Sequence, residues 1–275
     1  MNLFTIITVC YNAEREIKGT IESVLKQTYT NYEYLIVDGL SDDDTVEIAK
    51  FYCEQFQQKG ITYTIKSEKD TGIYNAMNKA TDMASGKWLL FLNAGDQLVD
   101  EKVLAEVAKN DCDNTAILYG DVFCCLCKLY KKIPAGTPDE LKNGMVFCHQ
   151  SAFIAREKMA EYRYDESYRI GADYDFICRC YKSGEQFKKL DIPISVFELG
   201  GASSNPVKHI FEQLKIQNKN SLITEEEYEE AVVTWKKKEK YYKMRDKIEK
   251  IIPSAVTRWL RRWKYKQLGY EQYLG

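Results

Sequence analysis

Apolar and polar positions alternate along the first part of the chain in a pattern that repeats. Residues 3–10 (LFTIITVC) form an apolar, β-branched run, which is typical of a strand buried on both faces of a parallel sheet. Ile17, Ile21 and Val24 then recur at helical spacing and predict a helix with one buried stripe. Repetition of this strand and helix pattern to about residue 92 predicts a right-handed, doubly wound sheet.

Capping residues set the limits of the predicted elements in this half. Residues 41–44 offer capping side chains for a second helix, and Gly86 is suited to end the third. The predicted strands are 3–10, 34–37, 62–66 and 87–92, and the predicted helices run from about 17 to 25, from 41–44 to about 56, and from 73 to 84.

Beyond about residue 112 the alternation is looser and predicts a mixed sheet. Pro206 stands where a helix would begin, and Thr224-x-x-Glu227 forms a capping box for a last helix that ends near Lys250. We therefore predict an α/β fold with a doubly wound, mostly parallel sheet, a mixed C-terminal part and appended C-terminal helices. The strand-like runs here are 116–119, 122–130, 145–154 and 194–199, with a helix at about 173–183.

Charge is unevenly distributed between the body of the chain and its C-terminal region. Residues 235–266 carry thirteen Lys or Arg against three Asp or Glu, a local excess of +10, which leaves −12 for the rest. No run approaches the roughly 18 consecutive apolar residues that a membrane-spanning helix needs, and the first residues lead directly into a strand without a signal peptide pattern. We therefore expect a cytoplasmic protein.

The nine cysteines are an odd number spread through apolar runs, which is typical of reduced thiols rather than of a disulfide framework. Cys124, Cys127, Cys148 and His149 offer a conceivable zinc site. Cys125 interrupts the first pair, however, and the surrounding run alternates like a strand. The pattern therefore favours core cysteines.

Polar residues follow each strand of the predicted parallel sheet, where such sheets bind their ligands. The chain has neither G-x-G-x-x-G after its first strand nor a G-x-x-x-x-G-K-[ST] sequence, which disfavours a dinucleotide dehydrogenase and a P-loop enzyme. A divalent cation is the alternative partner for a bound diphosphate. The strand-end residues are Tyr11, Asn12, Asp38, 67–70 and 93–96.

Two of these strand ends carry a carboxylate with two possible roles. Asp96, with the amide oxygen of Asn93, offers the hard oxygen donors that Mg²⁺ or Mn²⁺ prefers. Its alternative role is to cap the following helix, after a turn in which Gly95 takes an unusual backbone angle. Asp38 is suited either to cap residues 41–44 or to accept a hydrogen bond from a base or a ribose.

Four separated segments resemble, in order and in spacing, the signatures of family 2 inverting glycosyltransferases, whose fold is of the GT-A type. The resemblance covers roughly residues 3 to 200 and is closest to bacterial enzymes that build capsule, exopolysaccharide or lipopolysaccharide side chains. The four segments are TVCYNAEREIKGTIESVLKQTYTNYEYLIVDGLSDDDT, EKDTGIYNAMNKATDMASGKWLLFLNAGDQL, CHQSAFI and GADYDF.

The resemblance implies a nucleotide site and a metal site at the strand ends. Asp96 takes the position of the metal-binding carboxylate, for Mn²⁺ or Mg²⁺, whereas Asn93 and Gly95 replace two acids of the usual D-x-D or D-x-D-D sequence. We therefore expect weak metal binding that the donor diphosphate completes. The residues expected around the nucleotide are Thr8, Tyr11, Asn12, Asp38, Asp70 and Asn93.

The resemblance also implies the catalytic base and part of the acceptor site. Asp173 takes the second position of the Glu-Asp pair that provides the base, and Ala172 takes the first. Asp175 is the competing candidate, and on a helix the two side chains point about 200° apart, so only one can face the cleft. His149 and Gln150 resemble the acceptor-side motif, although a lone His in an apolar run is also common as a hydrogen-bonded core residue.

These expectations describe an inverting, metal-dependent hexosyl- or N-acetylhexosaminyl-transferase. Its donor would be a nucleotide diphosphate sugar, with UDP-sugars expected, and its acceptor a saccharide or lipid-linked saccharide in cell-surface polysaccharide synthesis. A nucleotidyltransferase is the first alternative, but residues 11–14 are not the Gly-rich basic loop that such an enzyme needs. A catalytically inactive nucleotide-sugar-binding module is the second alternative, because two acids of the usual metal motif are replaced.

The expected domains are a transferase domain, 1–204, and a helical extension, 205–275. The transferase domain divides into a nucleotide-binding half, about 1–111, and an acceptor half, about 112–204. Residues 250–266 (KIIPSAVTRWLRRWKYK) interleave aromatic and basic side chains, which predicts peripheral contact with the inner face of the cytoplasmic membrane. The alternative is a terminal helix that packs its tryptophans on the domain; a nucleic acid partner is not expected.

Overall fold

The computed structural model describes residues 2–126, 128–199, 206–249 and 263–272. Its strands are β1 (Phe4–Cys10), β2 (Tyr32–Asp38), β3 (Thr62–Ser67), β4 (Trp88–Phe91), β5 (Gln97–Leu98), β6 (Ile117–Leu126), β7 (Leu129–Ile133), β8 (Ala152–Ala155) and β9 (Phe187–Glu198). Its helices are α1 (Ile17–Leu25), α2 (Thr45–Phe51), α3 (Cys53–Gln58), α4 (Ile73–Met83), α5 (Val103–Ala108), α6 (Arg156–Tyr162), α7 (Ala172–Lys182), α8 (Pro206–Lys219) and α9 (Glu225–Glu249). Two short 3₁₀ helices, Pro138–Asn143 and His149–Ser151, precede β8.

The described strands join one sheet that is parallel at one end and mixed at the other. Their order is β3-β2-β1-β4-β8-β6-β9-β5, and β7 pairs with β6. The strands β3, β2, β1 and β4 run parallel, whereas β8 is antiparallel to both β4 and β6. The predicted α/β fold, with a doubly wound first half and a mixed second half, is confirmed.

Two hydrophobic cores cover the two faces of this sheet. Consecutive residues of β1 alternate between them, since Ile6 belongs to the core that contains Ile17 of α1, and Ile7 to the core that contains Met77 of α4. Every residue of β1 and of β2 is buried. Burial on both faces is the physical reason why LFTIITVC shows so little polar alternation.

Gly86 does not end a helix, contrary to the prediction. Helix α4 ends at Met83, and Ala84 is its C-terminal capping residue. A Cβ on Gly86 would lie 2.5 Å from the carbonyl carbon of Phe4 and 2.6 Å from the amide nitrogen of Thr5. Glycine is therefore required at this position because the chain passes so close to the backbone of β1.

Several other predicted elements have different limits. The helix predicted from 41–44 to 56 is two helices, α2 and α3, which meet at Tyr52. The run 122–130 is the end of β6 and the start of β7, and only the last part of 145–154 is a strand. The run 194–199 is the end of the longer β9, which pairs with β6. Pairing between strands far apart in sequence sets the limits of these strands, and local residue patterns do not report it.

The C-terminal helices begin where the sequence predicted. Helix α8 starts at Pro206. At the start of α9, the amide of Thr224 donates to the side chain of Glu227 at 2.7 Å, and the amide of Glu227 donates to the side chain of Thr224 at 3.2 Å. Ile216 of α8 is fully buried in the same core as Ala172 of α7. The domain boundary at 204 stays a prediction, but α8 packs as part of the body.

The last described segment, 263–272, lies against β7. Tyr130 and Glu271 exchange two backbone hydrogen bonds, of 2.7 and 2.9 Å, and Lys131 Nζ donates to the carbonyl oxygen of Leu268 at 2.8 Å. Most of the predicted membrane segment, 250–262, lies outside the described residues. Within the part of the chain that the structure describes, no helix is long and apolar enough to cross a membrane.

Candidate active site

A cleft of about 780 Å³ opens where β1 and β4 end. One side comes from residues that follow these two strands, including Tyr11 and the turn 93–96. The other side comes from the segment before β8, the start of α7 and the middle of α8, which contribute His149, Asp173 and Gln213. The cleft therefore lies where doubly wound sheets bind their ligands.

Asp96 lies in this cleft just beyond β4. Gly95 has a φ of 104°, and the amide of Asp96 donates to the carbonyl oxygen of Asn93 at 3.0 Å, so the chain turns sharply after the strand. The buried carboxylate accepts hydrogen bonds from Gln150 Nε2 at 3.0 Å and from the amide of Glu198 at 3.4 Å. Neither bond comes from an amide of the following helix, α5, so Asp96 does not cap that helix. Burial raises the pKa of Asp96 to about 6.

Asn93 offers a second oxygen donor on the same turn. Its Oδ1 is buried and, among the described residues, has no hydrogen-bond partner, which is uncommon for a polar atom in a folded protein. The residues that the structure describes contain no group of three or more His, Cys, Asp or Glu that could hold a metal ion. An orphan amide oxygen near a carboxylate therefore fits Mg²⁺ or Mn²⁺ only if a bound diphosphate supplies further ligands.

The cysteines considered for a zinc site are free where the structure describes them. Cys124 and Cys148 form no disulfide, and burial raises the pKa of both thiols above the usual range. A raised pKa disfavours the thiolate, which is the form that binds zinc. Cys127 lies outside the described residues.

Asp173, in the first turn of α7, lines the same cleft. Its Oδ2 lies 2.9 Å from His149 Nδ1, and Tyr74 Oη lies within hydrogen-bonding distance of its Oδ1, at 3.2 Å. Burial alone raises the pKa of Asp173, but the hydrogen bond and charge of His149 outweigh it and hold the pKa below its usual range. Asp173 is therefore ionised at neutral pH.

Asp175, the competing candidate, is fully buried away from the cleft. Its Oδ2 lies 2.7 Å from Arg179 Nε, and its Oδ1 lies 3.4 Å from Lys219 Nζ. The first ion pair lies within α7 and the second joins α7 to α8, which gives Asp175 a structural role. Of the two aspartates, Asp173 is the one that lines the cleft, as the helical period requires.

His149 and Gln150 connect the two carboxylates of the cleft. They lie in the 3₁₀ helix His149–Ser151, not in the strand that the sequence predicted. His149 Nδ1 contacts Asp173, and the next residue, Gln150, donates to Asp96. Burial lowers the pKa of His149, but the hydrogen bond to Asp173 outweighs it and the pKa is raised. Within the described chain, the buried Nε2 atom of His149 has no hydrogen-bond partner.

Tyr11, Gly39 and Asp70 lie together beside the ends of β1 and β2. The Tyr11 side chain is 64% exposed. A Cβ on Gly39 would lie 2.7 Å from Asp70 Oδ2 and 3.4 Å from the ring of Tyr11. An exposed ring and a carboxylate suit the stacking and hydrogen bonding of a nucleotide base. Asn12, with a φ of 50°, accepts from the amide of Asp42 at 3.0 Å and so shapes the adjoining loop.

Thr8 and Asp38, expected at the nucleotide, are fully buried and do not line the cleft. Thr8 Oγ1 donates to the carbonyl oxygen of Leu92 at 2.7 Å. Asp38 Oδ2 accepts from the amide of Ser41 at 3.0 Å and from Ser67 Oγ at 2.6 Å. The oxygens of Thr8 and Asp38 therefore join the ends of neighbouring strands, and the alternative role of Asp38 as a cap of 41–44 is the arrangement present.

Several polar residues of the cleft were not predicted from the sequence, and four of them come from β9, from the loop before α7 and from α8. Glu198 ends β9, and the strand-end rule that indicated Asp96 could also have indicated Glu198 at the end of the predicted run 194–199. The other three come from the loop before α7 and from α8, where no local pattern marks them. The four residues are Arg169, Glu198, His209 and Gln213.

The sequence profile of Glycosyl transferase family 2 matches residues 5–172. The PGL/p-HBAD biosynthesis glycosyltransferase of Mycobacterium tuberculosis is 31% identical over 214 residues, which are 76% of this chain and 82% of the relative. The amylovoran biosynthesis glycosyltransferase AmsB of Erwinia amylovora is 26% identical over 71% of this chain and 69% of its own length. The UDP-Glc:alpha-D-GlcNAc-diphosphoundecaprenol beta-1,3-glucosyltransferase WfgD of Escherichia coli is 34% identical over 43% of this chain and 45% of its own length.

Two solved structures show the same fold at low sequence identity. S. aureus TarS 1-349 in complex with UDP-GlcNAc superposes with a TM-score of 0.65 at 16% identity, over 82% of this chain and 68% of that chain. The mannosyltransferase PcManGT from Pyrobaculum calidifontis, in complex with GDP-Man and Mn²⁺, superposes with a TM-score of 0.61 at 16% identity, over 81% and 65%. This chain therefore spans about two thirds of the length of the solved chains.

Proposed function

The chain belongs to glycosyltransferase family 2 and has the GT-A fold, and from this we propose that it is an inverting transferase for UDP-sugars. It moves a hexosyl or N-acetylhexosaminyl group to a hydroxyl of a saccharide or lipid-linked saccharide. One observation carries the proposal: Asp96 and Asp173 line a single cleft and are held by the consecutive residues Gln150 and His149. One carboxylate serves the donor diphosphate, and the other serves the acceptor hydroxyl.

In this proposal the donor nucleotide binds beside Tyr11 and Asp70, with Asn12 shaping the loop. Asn93 and Asp96 would hold Mn²⁺ or Mg²⁺ in the cleft. A bound divalent cation offsets the charge of the diphosphate and stabilises it as a leaving group. The solved relatives support this choice, since one is described in complex with UDP-GlcNAc and another with GDP-Man and Mn²⁺.

Asp173 takes the proton of the acceptor hydroxyl in this proposal. The lowered pKa keeps its carboxylate ionised, and the contact with His149 fixes its orientation. As the proton passes to Asp173, the hydroxyl oxygen bonds to the anomeric carbon of the donor sugar. The bond from that carbon to the diphosphate oxygen breaks, its electron pair leaves with UDP, and the anomeric configuration inverts.

We further propose that the acceptor is carried on a lipid at the inner face of the cytoplasmic membrane. The WfgD relative is named for a GlcNAc-diphosphoundecaprenol acceptor, and the mycobacterial relative is named for PGL/p-HBAD biosynthesis. A lipid-linked sugar is built into cell-surface material such as capsule or lipopolysaccharide side chains, which makes these the proposed products.

The described part of the C-terminal tail supports membrane contact close to the cleft. Glu198 of β9 pairs with Cys125 of β6, and Cys125 pairs with Tyr130 of β7. Tyr130 in turn pairs with Glu271. Neighbouring strands are about 4.8 Å apart, so Glu271 lies roughly 14 Å from the cleft residue Glu198. The exposed basic and apolar side chains of this tail are Trp263, Lys264, Lys266 and Leu268.

A donor screen tests the proposed function. The purified chain is given a panel of UDP-sugars with Mn²⁺ and GlcNAc-diphosphoundecaprenol, and the product is analysed for its anomeric configuration. We expect transfer with inversion from at least one UDP-sugar, and we expect EDTA to abolish it. Release of pyrophosphate when UTP and a sugar 1-phosphate replace the UDP-sugar would instead indicate a nucleotidyltransferase, and UDP binding in calorimetry without turnover would indicate an inactive binding module.

Replacement of the two cleft carboxylates tests their roles. Asp96→Asn and Asp173→Asn should each lower kcat by roughly 100-fold or more, because each removes a group that acts on charge or a proton during transfer. Asp191→Asn is the matched control, since Asp191 is exposed on β9 and does not line the cleft. Turnover close to that of the wild type in either cleft variant would contradict the assignment.

A further inference from the structure

Helix α8 reaches the cleft although it lies beyond the residues that the family profile matches. The profile ends at residue 172, and α8 covers Pro206–Lys219. His209 and Gln213 of α8 line the cleft, and Ile216 is fully buried in the core. The helix therefore forms part of the wall that faces the proposed acceptor.

Glu212 of α8 binds the loop that leads into α7. Its Oε1 accepts from the amide of Arg169 at 3.1 Å, and its Oε2 accepts from the amides of Ile170 and Gly171 at 2.9 and 3.0 Å. Three successive backbone N–H groups thus point at one carboxylate, which is the arrangement of an anion-binding nest. The nest lies at the N-terminus of α7, where the helix dipole also favours a negative charge.

Gly171 allows α8 to come close enough for this contact. A Cβ on Gly171 would lie 2.8 Å from Cδ1 of Ile216, a side chain that is fully buried and has little room to move. The absence of a side chain at this position is therefore a second feature that brings Glu212 onto the loop.

The loop held by Glu212 leads directly to the proposed base. Asp173 is only two residues beyond Gly171. The hydroxyl of Tyr74 contacts both the carbonyl oxygen of Ile170 and Oδ1 of Asp173. A shift of this loop would therefore move the Asp173 carboxylate in two ways, through the start of α7 and through Tyr74.

We propose that Glu212 is a positioning residue for the transfer reaction, which holds the loop 169–171 and so places Asp173 in the cleft. The inference rests on the proposed function, because it matters for turnover only if Asp173 takes the proton. Glu212 is not needed simply to attach α8, since Gln217 and Asn220 also bind it to the body. Gln217 Nε2 donates to the carbonyl oxygen of Lys142 at 2.9 Å, and Asn220 Nδ2 donates to Asp175 at 3.3 Å.

The test compares Glu212→Gln and Glu212→Ala with the wild type. Glutamine retains the size of the side chain but places an NH₂ donor against backbone N–H donors, and alanine leaves the nest empty. A displacement of about 1 Å at a reacting group costs on the order of 100-fold in rate, so we expect kcat to fall by about 10- to 100-fold in both variants. UDP affinity in calorimetry should stay unchanged, because the nucleotide side of the cleft does not contact the nest.

Two controls separate positioning from stability. Glu229→Gln makes the same chemical change at an exposed position of α9 and should leave the kinetics unchanged. Asn220→Ala weakens the packing of α8 on α7 without touching the nest, so it should lower the Tm while the folded protein keeps its kcat. If Asn220→Ala and the Glu212 variants have the same Tm and also lose the same fraction of kcat, the proposal is overturned.

Chemical rescue gives a readout that a purely structural role would not move. Formate can occupy the nest that Glu212→Ala leaves empty, so it should restore kcat in a saturable manner. It should have no such effect on the wild type or on Asn220→Ala. Wild-type kcat in both Glu212 variants would overturn the proposal, as would a loss that formate does not restore.

If the wild-type chain transfers sugar from none of the donors, the proposed function fails. Hydrogen exchange of the 169–171 amides then still tests the contact itself. Faster exchange in Glu212→Gln than in Glu229→Gln supports the positioning contact, and equal exchange overturns it.

Discussion

Asp96 and Asp173 are carboxylates of one cleft whose pKa values are displaced in opposite directions. Burial raises the pKa of Asp96 to about 6, whereas the contact with His149 holds the pKa of Asp173 below its usual range despite burial. Environments that separate the pKa values of two acids allow them to perform different tasks at one pH. Asp96 is suited to receive a cation that favours its ionised form, and Asp173 is ionised without one.

The raised pKa of Asp96 predicts that Asp96→Asn stabilises the metal-free protein. Between about pH 4 and 6 the folded chain keeps a proton that the unfolded chain releases, so the free energy of unfolding falls as the pH rises through this window. Asparagine does not titrate, and at about pH 8 it should raise the free energy of unfolding by up to about 3 kcal/mol.

Urea unfolding in EDTA measures this difference at about pH 8 and again at about pH 4, where it should nearly vanish. Asp191→Asn, exposed on β9, is the control for the loss of one carboxylate. An Asp96→Asn variant that is less stable than the wild type at the higher pH would refute the idea that the carboxylate costs stability for the sake of function.

Among the elements, β1 packs closely against the segment that leads into β4. Gly86 lies so close to the backbone of Phe4 and Thr5 that the two segments leave no room for a side chain. The amide of Gly86 also donates to Thr5 Oγ1 at 2.9 Å. This contact sets the start of β4 beside β1, and so it determines where both strands end at the cleft.

Gly86→Ala should therefore destabilise the fold. The added Cβ would meet backbone atoms, which cannot rotate away, so we expect a loss of about 1–3 kcal/mol or more in the free energy of unfolding. Chemical denaturation measures the loss, and Ser85→Ala at the exposed neighbouring position is the control, with a change near zero. A Gly86→Ala protein as stable as the wild type would show that the strands can separate without cost.

The elements that could be predicted are those whose residues carry a local period. Strands β1 to β4 and helices α1 and α4 follow from apolar runs and stripes, and Asp96 follows from its place after β4. The long β9 and the 3₁₀ helix at His149–Ser151 could not be predicted in this way. Their conformations depend on pairing and packing with segments far away in sequence.

The site residues divide for the same reason. Tyr11, Asp96 and Asp173 line the cleft as the strand ends and the resemblance suggested, whereas Thr8 and Asp38 are buried. A residue pattern gives the position of a side chain along a strand but not which neighbouring strand its polar atoms will reach. Glu212 shows the limit most clearly, because its three hydrogen bonds cross more than forty residues of sequence.

At the scale of the whole molecule, the chain has an acidic body and a basic C-terminal region. The segment 263–272 is fixed to β7 by the backbone pair of Tyr130 and Glu271. Trp263 and Leu268 are 58% and 50% exposed there, beside exposed lysines. Basic side chains are attracted to anionic headgroups, and exposed aromatic rings favour the interface, so this end of the molecule is suited to face a membrane.

The double variant Lys264→Glu/Lys266→Glu should therefore reduce binding to anionic vesicles. Each basic residue near a charged surface contributes about 1 kcal/mol, so reversal of two charges should lower the partition coefficient by at least about tenfold. Cosedimentation with vesicles of phosphatidylcholine and phosphatidylglycerol measures it, and added salt should weaken the binding of the wild type.

Lys26→Glu/Lys182→Glu is the control for this experiment, because it makes the same change in charge on exposed residues of other elements. Pure phosphatidylcholine vesicles should bind none of the proteins appreciably. Equal binding of both double variants to the anionic vesicles would show that vesicle binding depends on the net charge of the protein and not on the lysines of segment 263–272.

The short turn that carries His149 and Gln150 fixes the spacing of the two cleft carboxylates that the proposed reaction uses. Adjacent side chains bind Asp173 and Asp96. If these carboxylates act as proposed, the spacing of the two adjacent residues sets the distance between the leaving group and the attacking hydroxyl. Redesign of the protein for bulkier sugars should therefore leave His149 and Gln150 unchanged. Diversification belongs instead at the side walls, at Arg169 and Gln213, where volume can change without altering the reach of the reaction.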